Sequence, residues 1–247
     1  MLQSVQIPET VTVCVTSCGR LDLLAETLTS FGHFNNGGRY LLSEDSADDA
    51  TIARVRDAYP HIKVLSGSRR IGLMGSIDRL YEAVTTPYIF HLEDDWLFTG
   101  PVDWSAAIRM LGHADVAHVC VRAFDEVKER YRRRSEPAFI GTAEFRIMRV
   151  DTHPEWFAWS SNPGLIATQT YQKYRPFGRM MHDQMSGLMK KDGLRQAFLL
   201  PGVARHIGHG HSVVDPMIPA RPKSVLGKCL RSIKKEMYYR GWRAQPF

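Results

Sequence analysis

The alternation of apolar and polar positions is clearest in the first hundred residues. Thr10–Cys18 (TVTVCVTSC) is almost continuously apolar and rich in β-branched side chains, the pattern of a strand buried on both faces. Leu21, Leu24, Ala25, Leu28 and Phe31 then recur at the spacing of one helix face. GRYLLSED predicts a second strand that ends in acids, and Asp48 or Asp49 is placed to cap a helix whose inner face is Ile52, Val55 and Tyr59. IKVLSG reads as a third strand. IGLMGSIDRLYEAVTT reads as a helix with Ile77, Leu80, Tyr81 and Val84 inward, and PYIFHLEDDW as a fourth strand. Strands and helices alternating across short turns predict right-handed βαβ units and a mostly parallel sheet.

After Trp104 the pattern loosens. DVAHVCVRAF reads as a further strand, EVKERYRRRSEP as a charged, exposed segment, and EFRIMRV as an edge strand. EWFAWSSNPGLIATQTYQKY reads as an aromatic loop that enters a helix near Pro163. HDQMSGLMKKDG predicts a helix stopped at Gly193, with Met185, Leu188 and Met189 available for burial. QAFLLPGVARHIGHGHS reads as a strand followed by a histidine-bearing turn.

Sheets of this kind bind ligands outside the carboxyl ends of their strands. The polar residues gather there: Thr16–Arg20, Glu44–Asp49, Arg69–Arg70 and Glu93–Asp95 each follow one strand. Ionised carboxylates at the end of a core strand need a partner. A hard divalent ion takes one or two carboxylates together with substrate phosphate oxygens. Glu93 and Asp95 alternate across the strand end and face one side in this reading, with Asp94 turned away. In GSRRIGLMGS, guanidinium forks suit phosphate oxygens and Gly72 permits close backbone approach. Neither GxGxxG nor GxxxxGK[ST] is present, so neither a dinucleotide fingerprint nor a P-loop is supported.

Composition narrows the partners. The chain has 247 residues, 44% hydrophobic content and a net charge of +6, ordinary for a globular protein with a sizeable core. The charge is uneven: residues 221–247 hold eight basic side chains against Glu236 alone, which leaves the remainder near neutral. That argues for a local basic patch rather than a nucleic acid surface. No run reaches the roughly 18 apolar residues of a membrane span, and no signal peptide is evident at the start. Cys14 and Cys18 are separated by about 13 Å of strand, and no CxxC pair occurs, so all four cysteines read as thiols. The expected location is the cytoplasm, with peripheral contact at the inner face of a membrane as an option.

TVTVCVTSCGRLDLLAETLTSF, SEDSADD, SRRIGLMGSIDRLYEAVTTPYIFHLEDDW and HDQMSGLMKKDG, in this order and spacing, resemble a nucleotide-sugar glycosyltransferase with the GT-A fold, of the family 2 type, over roughly residues 10–215. The resemblance implies an α/β, Rossmann-like, mostly parallel central sheet flanked by helices, with a small acceptor-side subregion and a basic C-terminal helix. It implies one domain over 1–220, with a nucleotide-binding half (1–100) and an acceptor-binding half (101–220), followed by a tail over 221–247. Thr16, Ser17 and Arg20 then sit against the nucleotide. Asp45 contacts the uracil imide, Arg70 with Arg69 second lies near base or diphosphate, and Asp94 joins the nucleotide-sugar site. Asp95 and Glu93 match the Asp-any-Asp motif as ligands of Mn²⁺ or Mg²⁺, although Glu93 stands where Asp is commoner. His182-Asp183 matches the usual Glu-Asp pair, with Asp183 as general base and His182 on the acceptor side.

The implied chemistry is inverting transfer of one sugar from a nucleotide-sugar donor, UDP-linked by preference, to a hydroxyl of a glycan or glycolipid. That suits polysaccharide or glycoconjugate biosynthesis. Absence of a QxxRW motif argues for single additions. His206 or His209 of RHIGHGH is a further metal-ligand candidate, while the spacing argues against zinc. Trp156, Phe157 and Trp159 offer faces for an acceptor sugar or for core packing. The rivals are a nucleotidyltransferase, for which TSCGRLD lacks the glycine-rich loop, and an inactive GT-A-like sugar-binding domain, against which Asp95 and Asp183 count. The tail helix, about Lys223–Tyr239, has Val225, Leu226, Cys229, Leu230, Ile233 and Met237 on one side among basic residues, and fits either the protein body or an anionic membrane.

Overall fold

A computed structural model describes residues 4–152, 158–179, 182–211, 213–216, 222 and 224–239. Chain contacts divide it into two compact units, Met1–Val214 and Asp215–Phe247. The first unit begins with β1 (Val5–Gln6), β2 (Val11–Ser17), α1 (Leu21–Phe34), β3 (Asn35–Asn36), β4 (Arg39–Glu44), α2 (Asp49–Ala58) and β5 (Lys63–Ser66). It continues through α3 (Gly72–Tyr81), β6 (Tyr88–Glu93), β7 (Trp96–Phe98), α4 (Trp104–Leu111), β8 (Val116–Cys120) and α5 (Glu129–Arg132). It closes with β9 (Ser135–Ile140), β10 (Ala143–Met148), β11 (Gly164–Ala167), α6 (Thr168–Tyr174), α7 (His182–Lys191), β12 (Arg195–Leu199) and β13 (Ala204–His206). The second unit contains α8 (Val225–Tyr239).

Nine strands form one sheet in the order β5-β4-β2-β6-β11-β8-β12-β10-β9. The four at the β5 side are mutually parallel, and only β10 and β11 run against the rest. The α/β fold with a mostly parallel central sheet is therefore present. Register decides where the polar ends fall: Ser17 is opposite Glu44, Glu44 opposite Ser66, and Thr16 opposite Glu93. Four strand ends, each followed by a polar turn, thus share one edge, as the βαβ pattern requires.

Strand β2 is buried along its whole length because helices cover both faces. One face carries Val11, Val13, Val15, Phe90 and Leu92 against Leu24 and Phe31 of α1 and Ala107 and Met110 of α4. The other carries Cys14, Leu41 and Ile89 against Ile77, Leu80 and Tyr81 of α3, Tyr171 of α6 and Met185 and Met189 of α7. Asp48 caps α2, accepting the Thr51 amide at 2.8 Å.

Several expectations are corrected. GLIA is not a helix start but β11, antiparallel between β6 and β8. EFRIMRV is not an edge strand: β10 pairs with β12 and β9, and β9 is the edge. Helix α3 ends at Tyr81, so Val84 lies beyond it, and Leu188 of α7 is exposed. Among the described residues no helix is long and apolar enough to cross a membrane, and all four cysteines are free thiols.

Candidate active site

Strand β6 stops at Glu93, and Asp94 and Asp95 form the tight turn into β7. The strand alternation expected for Glu93 and Asp95 therefore does not hold. Glu93 continues the α3-facing row of Ile89, while Asp94 and Asp95 both turn toward the start of α1. Helix α1 holds that turn from beneath. Thr27 Oγ1 accepts the Trp96 amide at 3.0 Å, Ser30 Oγ accepts the Phe98 amide at 3.1 Å, and Asn35 Oδ1 accepts the Val102 amide at 3.1 Å.

Arg20, the residue before α1, lies between the two aspartates. Its Nε donates to Asp94 Oδ2 at 3.3 Å, its Nη2 pairs with Asp94 Oδ1, and its Nη1 donates to Asp95 Oδ2 at 2.8 Å. Nη1 also donates to the His211 carbonyl at 3.3 Å. Burial opposes the Arg20 charge, but Asp94 and Asp95 overcome this and raise its pKa. Burial pushes Asp94 up to about 6 against the pull of Arg20. Glu93 is pushed up to about 8, first by burial and then by Asp95 and Asp94. Three neighbouring acids cannot all stay ionised cheaply without a cation.

The chain returns to this turn late. β13 pairs antiparallel with β7, setting His206 opposite Trp96, and the Ile207 amide donates to the Asp95 carbonyl at 2.9 Å. His206 Nε2 is 3.4 Å from Asp95 Oδ2, and the His206 ring is 4.7 Å from that of exposed His209. Gly208 is the residue that sequence reasoning missed. A β-carbon there would stand 2.2 Å from Asp95 Oδ2, so only glycine fits.

At the ends of β2 and β4, buried Glu44 accepts the Gly19 and Ser46 amides at 2.9 Å each through Oε1. Both oxygens of Asp45 face the backbone at the start of α3: Ile71 donates at 3.0 Å to Oδ1 and Gly72 at 2.9 Å to Oδ2. Burial raises the Asp45 pKa, opposed by these two amides. Asp45 thus anchors α3 wherever else its remaining lone pairs point. Arg70 donates to the Val214 carbonyl at 2.6 Å and Arg69 is exposed. Thr16 and Ser17 are buried at the end of β2, Thr16 Oγ1 without a hydrogen-bond partner.

The acceptor-side candidates divide. Asp183 and His182 occupy the first turn of α7, and their side chains lie outside the described residues, as do Trp156 and Phe157 altogether. Trp159 is corrected from acceptor platform to core. It is fully buried against Phe177, His91 and His118, leaving no face for a sugar.

The residues suit a divalent cation. Asp95 Oδ1 is buried with no hydrogen-bond partner, while Oδ2 of the same carboxylate lies beside the His206 imidazole and against Gly208, where a β-carbon would not fit. Among the described residues no three His, Cys, Asp or Glu side chains form a closed metal cage. One carboxylate, one imidazole and open positions for phosphate oxygens are a donor set that Mg²⁺ or Mn²⁺ accepts.

Residues 12–168 match the family model described as glycosyl transferase family 2, a match that stops short of α7. No curated protein matches the sequence. Among solved structures, S. aureus TarS 1-349 is similar at a TM-score of 0.58 and 10% identity, over 80% of this chain and 60% of that one. A structure of the same protein is in complex with UDP. Mannosyltransferase PcManGT from Pyrobaculum calidifontis, in complex with GDP-Man and Mn²⁺, is similar at 0.56 and 12% identity, over 96% and 66% of the two chains. GalNAc-T7 with UDP, GalNAc and Mn²⁺ is similar at 0.56 and 11%, over 93% and 50%. The shared fold is GT-A, and the chain spans about 60% of the length of the TarS 1-349 structure.

Proposed function

The chain belongs to glycosyl transferase family 2, and from that premise we propose that it moves one sugar from a nucleotide-sugar donor to a hydroxyl of a glycan or glycolipid acceptor, with inversion. The observation that carries this reading is the meeting of Arg20, Asp94, Asp95 and His206 at the shared edge of four parallel strands. The donor is a UDP-sugar in our reading. Thr16, Ser17, Arg20 and Asp94 face the nucleotide-sugar, Asp45 the base, and Arg70 with Arg69 second the base or diphosphate.

Asp95 with His206 or His209 would hold a divalent cation, which when bound would supply Lewis-acid stabilisation of the leaving diphosphate. Glu93, at the end of β6, stands as the second carboxylate candidate for that cation. The acceptor hydroxyl attacks the anomeric carbon opposite the leaving group, and Asp183 takes its proton, a contribution of about 10²–10⁴-fold. His182 and Trp156 remain the acceptor-side candidates. The test is transfer from a panel of UDP-, GDP- and CMP-sugars with Mn²⁺, beside Asp183→Asn. UDP affinity should persist and turnover vanish in the variant; retained turnover would remove Asp183 from the role.

The reading places the enzyme on the cytoplasmic side, where free thiols persist, and in polysaccharide or glycoconjugate synthesis. Helix α8 supports membrane contact. Val225, Leu226, Leu230 and Ile233 are exposed on one arc, and Lys228, Arg231 and Lys234 fall on the other by helical period. Co-sedimentation with anionic vesicles should require residues 221–247; equal binding without them would end this part of the reading.

A further inference from the structure

Asp78 of α3 is an acid that the proposed reaction leaves unused, yet its carboxylate gathers three donors. Tyr171 Oη donates to Oδ1 at 2.9 Å, the Phe177 amide donates to Oδ1 at 2.8 Å, and the Gly178 amide donates to Oδ2 at 2.6 Å. The two amides lie 99 and 100 positions away along the chain. They belong to the turn Phe177–Arg179, which leads into α7.

The same turn is locked on its apolar side. Phe177 is fully buried, with its ring 5.0 Å from Tyr171, 5.4 Å from Trp159 and 6.1 Å from Tyr81. Gly178 lies flat on α3: a β-carbon there would stand 3.2 Å from Gly75 Cα and 3.0 Å from Asp78 Oδ2. The other end of α3 is tied to the nucleotide side, where Asp45 takes the Ile71 and Gly72 amides. One helix therefore carries an acid-to-amide clamp at each end, and such charge-assisted bonds resist sliding.

We propose that Asp78 is a positioning residue that fixes the first turn of α7, and with it Asp183, relative to the donor. The inference rests on the reading of Asp183 as general base. A base must lie within about 2.6–3.2 Å of the proton it abstracts. A misplacement of about 1 Å costs on the order of 10²-fold in rate. A clamp on the turn entering α7 supplies that precision without touching substrate.

The experiment compares Asp78→Asn, Asp78→Ala and Tyr171→Phe in the full chain. It measures UDP affinity by calorimetry, kcat for transfer, and hydrogen exchange along the backbone. Asn keeps the Oδ1 acceptor and loses the one facing Gly178, so kcat should fall about 10-fold, and about 10²-fold in Asp78→Ala. UDP affinity should hold, and faster exchange should be confined to 177–191. Unchanged kcat, UDP affinity falling in step with kcat, or exchange rising throughout the chain would each overturn the proposal. If Asp78→Ala does not fold, Asp78→Asn and Tyr171→Phe carry the same comparison. Asp183→Asn runs alongside. Activity retained there but lost in Asp78→Asn, with the local exchange signature, removes Asp183 as base and leaves Asp78 setting α7. Activity lost there but untouched in the Asp78 variants overturns Asp78 alone.

Discussion

Gly208 lies against the carboxylate of Asp95 so closely that a β-carbon on it would stand 2.2 Å from Oδ2 and 2.8 Å from the carboxyl carbon. The contact joins a late loop to the acidic turn and leaves Asp95 Oδ1 as the free face. Gly208→Ala must push the loop or the carboxylate aside, separating Asp95 from His206. Mn²⁺-dependent turnover should fall about 10²-fold, with a stability loss of about 1–3 kcal/mol from the overpacking. A Mn²⁺ titration of transfer beside a melting curve checks this. Full activity in the alanine variant would show that the approach is incidental.

Arg20 occupies the space where a cation would meet Asp94 and Asp95. Its guanidinium is already shared between them, so a metal ion without nucleotide competes with partly buried ion pairs. A diphosphate offers Arg20 a second anion and relieves that competition. Arg20→Gln should bind Mn²⁺ about 10-fold more tightly in the absence of nucleotide, equivalent to about 1.4 kcal/mol of charge interaction, and should bind UDP more weakly. Electron paramagnetic resonance of free Mn²⁺ reads the first effect directly. Equal Mn²⁺ affinity in the two proteins would mean that Arg20 and the metal use different oxygens.

The parallel half of the sheet is legible because β2 is apolar and β-branched, β4 and β6 carry short apolar runs, and αβ alternation leaves few topologies. Parallel register then brings Ser17, Glu44 and Glu93 to one edge, so the acid cluster follows from the strand pattern. The mixed half was not legible. The four residues of β11 follow Asn162-Pro163 and are too short for period to separate strand from helix start. β9 contains Glu136 and Pro137 and buries only Ser135, so it carries no alternation. Asp78 reads as a solvated helix acid until the Phe177 turn is seen beside it, and Gly208 as any loop glycine. The burial of Trp159 depends on Phe177, His91 and His118, which come from three other parts of the chain.

Trp159 belongs to the core cluster of Tyr81, Tyr171 and Phe177. Trp159→Ala should therefore cost about 3–5 kcal/mol of stability, the range for large aromatic-to-alanine changes. Trp159→Phe should lose less and leave the acceptor KM unchanged. Urea unfolding and acceptor titration separate the two roles. A raised acceptor KM in Trp159→Phe at unchanged stability would return this residue to the binding site.

His118, on β8, is buried with Nδ1 3.0 Å from Gln196 Nε2, which also donates to Ser160 Oγ at 2.9 Å. The amide donor requires a neutral, accepting Nδ1, and burial alone lowers the His118 pKa to about 3. Its unfolded value is about 6.5. Between those values the unfolded chain holds a proton that the native chain does not. The stability tied to His118 is thus complete above about pH 6.5 and is lost as pH falls toward 3, with a slope of at most about 1.4 kcal/mol per pH unit. His118→Asn keeps an acceptor near the Nδ1 position and removes the titration. Urea midpoints of the wild type should fall from pH 6.5 to 4.5 more steeply than those of His118→Asn. Parallel lines for the two proteins would mean that His118 is protonated in the native state.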